Sequence, residues 1–141
     1  MPGSPNFGRG TCATSVVSSL FRYTSYAYGK VREYAASDEE FTRRAGFALL
    51  ATLAVGDKRA SDDDFRAFLP LIERGAEDSR VRIGKAVNWA LRQIGKRSRG
   101  LYPDALALAR RLAAKEGAAA RRIGRDAVRE LTLERIIARI K

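Results

Sequence analysis

The sequence predicts an all-α fold, and three observations support this prediction. Helix-start signals recur along the chain from residue 11 onwards. Only Pro70 and Pro103 occur after the first ten residues. No Asn-Gly or Asp-Gly turn and no long alternation of polar and apolar residues occurs, and those patterns are typical of β-hairpins.

The starts of the helices follow from capping residues. Ser37 with Glu40 predicts one capping box, and Ser61 with the acidic residues at 62–64 predicts another. Pro103 suits a first helical turn, where its missing N–H costs nothing. The predicted helices span residues 12–22, 25–36, 38–55, 62–76, 79–97, 103–115, 118–131 and 132–140.

Two parts of the chain depart from this regular pattern. Pro70 falls inside the helix predicted over residues 62–76, so we expect a kink or a split there. Residues 1–11 are rich in Gly and Pro and lack the apolar segment of a signal peptide. We expect them to be a disordered or non-native start, followed by a single domain over residues 12–141.

Pairs of predicted helices recur with a period of roughly 40 residues, at 38–77, 79–116 and 118–141. This period matches HEAT-type repeats, in which antiparallel helix pairs stack into an α-solenoid with a concave face. Because the helix pattern repeats and the residues themselves do not, a plain helical bundle is the alternative.

Composition excludes several functional classes. The 141 residues include no His and one Cys, Cys12, so a Cys-X-X-Cys site and the commonest zinc ligand are absent. No apolar run approaches the ~20 residues that cross a membrane. We therefore predict no metal, no cofactor and no membrane insertion.

The charge is strongly positive and unevenly distributed. The net charge is +11, and residues 79–141 alone carry seventeen basic and five acidic residues. Of the 27 basic residues, 21 are Arg, which favours bidentate contacts with phosphate. This balance points to a polyanionic partner, nucleic acid first and an acidic membrane surface second.

The helix predicted over residues 79–97 carries two stripes on opposite sides. The apolar stripe, which must face the core, consists of Ile83, Val87, Ala90, Leu91 and Ile94. The second stripe follows at steps of three and four residues and consists of Arg82, Lys85, Trp89, Arg92 and Lys96.

Trp89 is the only Trp of the chain and lies in the middle of a row of cations. Such a row suits nucleic acid, because Arg and Lys contact phosphates while an indole packs against a sugar or base. The alternative is that Trp89 packs against the next repeat with Arg92 stacked on it. A further basic row, Arg121, Arg125 and Arg129, has acidic neighbours and is expected to be partly self-neutralised.

Four segments of the sequence resemble one known family. They are residues 20–41, 41–58, 85–98 and 121–132, and the most distinctive is Lys-Ala-Val-Asn-Trp-Ala-Leu-Arg at 85–92. Together they resemble the DNA alkylation repair family, the AlkD-like alkylpurine DNA glycosylases.

The resemblance implies a HEAT-like α-solenoid that grips duplex DNA in a concave basic groove. It also implies hydrolysis of the N-glycosidic bond of cationic N3- or N7-alkylated purines, without metal or cofactor. Trp89 matches the family's groove tryptophan and Arg44 its groove arginine, while Arg92 would be a DNA-side or structural arginine. With the stripe above, the expected DNA-binding residues are Arg44, Arg82, Lys85, Trp89, Arg92 and Lys96.

The sequence departs from the family at the catalytic position. The family has a Trp and an Asp one turn apart on an earlier helix, whereas Ala13 stands at the Asp position after Cys12, and no Trp precedes it. No catalytic residue is therefore carried over. Arg122 also stands where the family often has Trp. Family members carry several further helices ahead of this point, so we expect an N-terminal truncation.

Three functions follow as hypotheses. The first is a DNA repair protein of the glycosylase type, with its activity open because of Ala13. The second is a non-catalytic, nucleic-acid-binding HEAT module. The third is a solenoid that binds an acidic protein. We expect a monomer in the bacterial cytoplasm, associated with the nucleoid when bound to DNA.

Overall fold

The computed structural model describes residues 26–140, and every regular element in that range is a helix. The all-α prediction is confirmed for this part of the chain, whereas the helix predicted over 12–22 and the boundary after residue 11 lie outside it. The helices are α1 (26–35), α2 (Glu40–Gly56), α3 (Asp62–Arg66), α4 (Leu69–Gly75), α5 (Val81–Arg97), α6 (Tyr102–Ala113), α7 (Ala118–Leu131) and α8 (Glu134–Arg139).

The capping predictions were half correct. At α3 the Ser61 hydroxyl accepts from the Asp64 N–H at 3.2 Å and the Asp64 carboxylate accepts from the Ser61 N–H at 3.0 Å, which confirms the capping box. The box predicted to start at Ser37 is wrong. Glu39 caps α2, and its carboxylate accepts from the Thr42 N–H at 2.8 Å. The Ser37 hydroxyl accepts the Glu39 N–H instead, at 3.1 Å.

Pro70 divides the segment predicted as one helix over 62–76. The chain forms α3 and then α4, and Pro70 occupies the first turn of α4, where it loses no hydrogen bond. Phe65 and Phe68, on either side of the break, are both fully buried. The expected split is confirmed, and it lets two aromatic rings reach the core within four residues.

Helices α5 and α7 run side by side in the same direction. Asn88 donates to Asp126 at 3.3 Å and Arg92 to Glu130 at 2.7 Å, and each pair is separated by 38 residues. Two helices whose contacting residues stay the same number of positions apart in the sequence must run in the same direction. The offset is close to the repeat period of roughly 40 residues that the sequence predicted.

Helix α2 lies parallel to α5 on its other side. Near the amino ends, the Arg80 guanidinium donates to the Asp38 carbonyl at 3.0 Å. At the carboxyl ends, the Arg97 guanidinium donates to the Ala54 carbonyl at 2.8 Å. Helices α2, α5 and α7 therefore form one row, which we call the first row.

Helices α4 and α6 form a second row, and their contacting residues are also 38 positions apart in the sequence. Arg111 donates to Glu73 at 3.2 Å and Lys115 donates to Glu77 at 3.3 Å, and each pair is again 38 residues apart. The two rows enclose one hydrophobic cluster, to which α5 contributes the whole predicted apolar stripe in buried form. That part of the sequence prediction is confirmed.

The burial pattern of the first row repeats from helix to helix. Buried positions correspond in the order Gly46, Phe47, Leu50 and Ala54 of α2, Ala86, Val87, Ala90 and Ile94 of α5, and Ile123, Gly124, Ala127 and Leu131 of α7. Each helix therefore turns the same face to the core, and positions outside the core can be matched in the same way.

Two glycines allow helices to approach closely. A Cβ at Gly46 would lie 2.6 Å from the Ala35 backbone nitrogen of α1, and a Cβ at Gly124 would lie 2.2 Å from the Ala113 backbone nitrogen at the end of α6. Both distances are far below van der Waals contact. Among the helices of residues 26–140, none is both long and apolar enough to span a bilayer.

Candidate nucleic-acid interface

A cleft between α2 and α5 brings together four of the six residues predicted to bind DNA. It has a volume of about 410 Å³, and we call it the basic cleft. Its lining residues are Phe41, Arg44 and Ala48 of α2 and Arg82, Lys85, Ala86 and Trp89 of α5. The α2 residues share one face because they are spaced by three and four positions.

Trp89 lies in the wall of the basic cleft and remains 36% exposed. The prediction of an outward-facing indole is therefore confirmed. The alternative, with Arg92 stacked on the ring, does not fit, because the Arg92 guanidinium donates to Asn88 and Glu130 instead. A large aromatic ring on the polar side of an otherwise well-buried helix is available to a ligand.

The cations of the basic cleft have no counter-ions among the residues that the structure describes. Within residues 26–140, no carboxylate lies within ion-pair distance of Arg44, Arg82 or Lys85, and none of the lining residues is acidic. The Arg82 guanidinium lies 5.4 Å from the centre of the Phe41 ring. The cleft therefore combines two exposed aromatic rings with three unneutralised positive charges.

Arg92 and Lys96, the other two predicted residues, lie outside the cleft and face α7. The Glu130 carboxylate accepts from Arg92 at 2.7 Å and from Lys96 at 2.5 Å. Burial alone would raise the pKa of Glu130, but the hydrogen bonds from Lys96 and Arg92 outweigh that effect and hold the pKa below its usual value. Glu130 is therefore ionised at neutral pH, and the three groups carry a net charge of about +1.

Arg43, next to Arg44 in sequence, has a structural role instead. Its guanidinium contacts Asp78 at 2.9 Å and Asp38 at 3.2 Å. Asp78 also binds Arg80 at 2.7 Å, and these hydrogen bonds lower its pKa to about 2. The acidic residues before α2 thus contact its first turn and Arg43, because Glu39 accepts from the Thr42 N–H and Asp38 pairs with Arg43.

A smaller cleft of about 160 Å³ lies at the corresponding place between α5 and α7. By the correspondence of buried positions, Gly84 stands there in the place of Arg44, and Asp126 in the place of Trp89. Arg122 lines this second cleft. The aromatic wall and the groove arginine belong to the basic cleft and are not repeated here.

Phe41 is the residue of the basic cleft that sequence reasoning missed. Its ring is 58% exposed and lies under the Arg82 guanidinium. A signal was present in the sequence, because Phe41 precedes Arg44 by three positions and must share its face. Without knowledge of the helix that packs beside α2, however, the sequence does not distinguish an exposed aromatic residue in its first turn from a core residue.

The fold and the cleft together define a basic, all-helical protein with an aromatic and cationic surface suited to a polyanion. The chain belongs to the DNA alkylation repair family, because the family model described as "DNA alkylation repair enzyme" matches residues 11–131. That match covers the whole basic cleft and confirms the resemblance drawn from the sequence. Comparisons with curated proteins and with solved structures gave no match.

Metal chemistry has no candidate site in this part of the chain. Across residues 26–140, no group of three or more His, Cys, Asp or Glu side chains is placed to hold a metal ion.

Proposed function

We propose that this protein acts in the repair of alkylated DNA and binds duplex DNA through the basic cleft. One observation carries the proposal. An exposed indole converges with three cations on a single cleft between two neighbouring helices, and these cations have no counter-ion within residues 26–140. Membership of the DNA alkylation repair family supports duplex DNA as the polyanion.

Each side chain of the cleft has a role in this proposal. The guanidinium groups of Arg44 and Arg82 and the ammonium group of Lys85 contact backbone phosphates, which supply most of the affinity and make it fall with salt. Trp89 and Phe41 pack against a sugar or a base, an interaction of about 1–3 kcal/mol per stacked base. Specificity for a damaged site would come from these rings, since phosphate contacts carry no base information.

Arg92 and Lys96 extend this surface towards α7. Their pairing with Glu130 leaves about one positive charge in the group. We propose that a DNA phosphate exchanges with the carboxylate when the duplex is bound, so that both cations become DNA contacts. This step makes their contribution smaller than that of the unpaired cations of the basic cleft.

We also propose that the two rows of helices form a HEAT-like solenoid. Hydrogen bonds and ion pairs between residues 38 apart join α5 to α7 and α4 to α6, and they support stacking of equivalent units. A plain bundle has no reason to repeat one offset on two layers. In this arrangement the first row lines the DNA-binding side and the second row faces away from it.

A more specific question is whether the basic cleft also supports catalysis. A cationic alkylpurine is a good leaving group, so its release needs little acid assistance. It does need negative charge near the sugar cation that develops, and the lining of the basic cleft offers cations only. The family's aspartate position, Ala13, lies outside the described residues. We therefore expect DNA binding with slow or no release of alkylated purines.

Binding is tested by fluorescence anisotropy with a labelled duplex that spans two helical turns. Trp89→Ala is expected to weaken binding about tenfold for protein that is still folded at the assay temperature, because the exposed part of the ring is available to DNA. Arg44→Gln is matched with Arg74→Gln, an exposed arginine of α4 in the second row. Equal effects of the two arginine variants would refute the basic cleft as the binding site.

Activity is tested by release of N3- and N7-methylpurines from methylated duplex DNA. Release that is lost in the Trp89→Ala variant would establish a glycosylase. Binding without release above background would leave a non-catalytic DNA-binding module. Tight binding of an acidic peptide, with no preference for DNA over heparin, would replace both with a protein-interaction function.

A further inference from the structure

The outer side of α7 carries a dense group of arginines that the basic cleft does not include. They line a shallow, open depression of about 370 Å³ on the surface of α7, and all of its lining residues belong to this helix. These residues are Ala118, Arg121, Arg122, Arg125, Asp126 and Arg129. We call its four arginines the arginine face.

The arginine face occupies a defined place in the repeat. By the correspondence of buried positions along the first row, Arg121 of α7 stands where Arg44 stands on α2, and Arg125 stands where Ala48 stands. The arginine face is therefore the α7 half of a third cleft. It repeats the arginine of the basic cleft without the facing helix that supplies Trp89.

Most of the positive charge on this face is available to a ligand. Within the described part of the chain, Arg122 and Arg125 have no ion-pair partner, whereas Arg129 contacts Asp126 at 2.8 Å. Arg121 donates to the carbonyl of Glu116 at 2.7 Å, which fixes its guanidinium but leaves its charge uncompensated. Four arginines and one carboxylate give a net charge of about +3.

Three of the arginines form a row along α7. Arg121, Arg125 and Arg129 follow each other at intervals of four residues, about 6 Å along the helix axis. The row therefore places several guanidinium groups side by side, and each can form a bidentate contact with a phosphate.

The chemistry of the lining favours DNA over a protein. Protein interfaces need an apolar or aromatic centre, and the only apolar residue here is Ala118. Guanidinium groups alone are sufficient for phosphate, which they bind in a bidentate manner. The surface is also continuous with the basic cleft, because Lys85 lines the first and second clefts and Arg122 lines the second cleft and the arginine face.

We propose that the arginine face binds the phosphate backbone of the same duplex, beyond the segment held by the basic cleft. The inference rests on the proposed DNA-binding function and adds a second contact to it. Two interhelical distances of about 8–10 Å each separate α2 from α7. The total corresponds to about five or six base pairs along the axis of the duplex. This contact raises affinity for any duplex and does not select damaged sites.

The test compares two double variants that remove the same charge. In the Arg122→Gln, Arg125→Gln protein, the slope of log K against the logarithm of the salt concentration is expected to become less steep by about 1.8. This is about 0.9 for each phosphate that is no longer neutralised. The control is Arg74→Gln with Arg110→Gln, which removes two exposed arginines from α4 and α6 of the second row. The control is expected to leave the slope unchanged, and both proteins are checked for wild-type melting.

The outcomes separate this inference from the proposed function. Failure of the wild-type protein to bind DNA at all refutes the proposed function. Binding that depends on Trp89, with equal slopes for the two double variants, refutes the arginine face alone. Loss of binding to a polyglutamate peptide but not to DNA in the Arg122→Gln, Arg125→Gln protein would also overturn it, in favour of an acidic protein partner.

Discussion

The Arg92 guanidinium of α5 lies 2.7 Å from the Glu130 carboxylate of α7, and this pair joins two parallel helices through residues that are 38 positions apart in the sequence. The other oxygen of the same carboxylate accepts from Lys96 at 2.5 Å. One acidic side chain therefore neutralises part of the charge that the sequence assigned to DNA. If the proposed function is correct, Glu130 has to be displaced before a phosphate can contact both cations.

Glu130→Gln is expected to increase affinity for duplex DNA by about five- to tenfold at low salt, because it leaves Arg92 and Lys96 without a competing carboxylate. The salt dependence of binding should become steeper as those cations gain phosphate contacts. The measurement is anisotropy over a range of salt concentrations.

Glu73→Gln is the matched control for that variant. Glu73 also joins an arginine and a lysine four residues apart, Arg111 and Lys115, at 3.2 and 3.3 Å, but it does so on the second row. The two variants change the net charge equally, so only position differs between them. An increase of the same size in both would show a general charge effect and contradict the role of Glu130.

Asp78 makes the stability of the fold depend on pH. Its side chain is only 7% exposed, and hydrogen bonds from Arg80 and Arg43 lower its pKa from 3.8 to about 2. A lowered pKa in the folded state stabilises the protein above the pKa of the unfolded chain, and this stabilisation is lost as pH falls from about 4 to about 2. The contribution is roughly 2 kcal/mol.

Asp78→Asn should therefore lower the free energy of unfolding by about 2 kcal/mol at neutral pH and flatten the acid part of the stability profile. Asp38→Asn is the control, because Asp38 contacts the same Arg43 but is fully exposed. Exposed ion pairs contribute little, so Asp38→Asn is expected to have almost no effect. Urea unfolding between pH 2 and 7 measures both, and parallel profiles would rule out the Asp78 contact as the cause.

Phe41→Ala is expected to weaken DNA binding about three- to tenfold without loss of stability, because the ring is 58% exposed and lies in the basic cleft. Tyr26→Ala provides the comparison, since Tyr26 is a 61% exposed aromatic residue of α1 away from the cleft. Anisotropy and thermal unfolding of the two variants give the answer. A decrease in affinity that is no greater for Phe41→Ala would remove the ring from the interface.

Sequence reasoning was most successful where one helix contains all the information. The two faces of α5 follow from spacing alone, and Trp89 is exposed while Ile83 and Ile94 are buried, as predicted. The split at Pro70 follows from the same kind of local rule. Local chemistry decides these features, so no knowledge of neighbouring helices was needed.

Contacts between helices were beyond the reach of the sequence. Arg92 and Lys96 looked like members of one uncompensated row, yet Glu130 comes from a helix more than thirty residues later. Phe41 was not among the predicted site residues, yet its ring lines the basic cleft. Which side chains meet across two neighbouring helices depends on the exact number of residues that separates them in the sequence. A period of roughly 40 residues does not predict that number precisely enough to identify the pairs.

Close packing of α6 against α7 depends on the absence of a side chain at Gly124. A Cβ there would lie 2.2 Å from the Ala113 nitrogen and 2.6 Å from the Ala109 oxygen, and backbone atoms cannot move aside cheaply. Gly124→Ala should therefore reduce the free energy of unfolding by about 1–3 kcal/mol. At Gly84 of α5 the nearest atom would be the Ile123 Cδ1 at 3.9 Å, so Gly84→Ala should stabilise the helix by about 0.5–1 kcal/mol. Urea unfolding measures both variants. A lower free energy of unfolding for Gly124→Ala and a higher one for Gly84→Ala would establish the close approach, whereas a stabilised Gly124→Ala protein would show that α6 and α7 lie further apart.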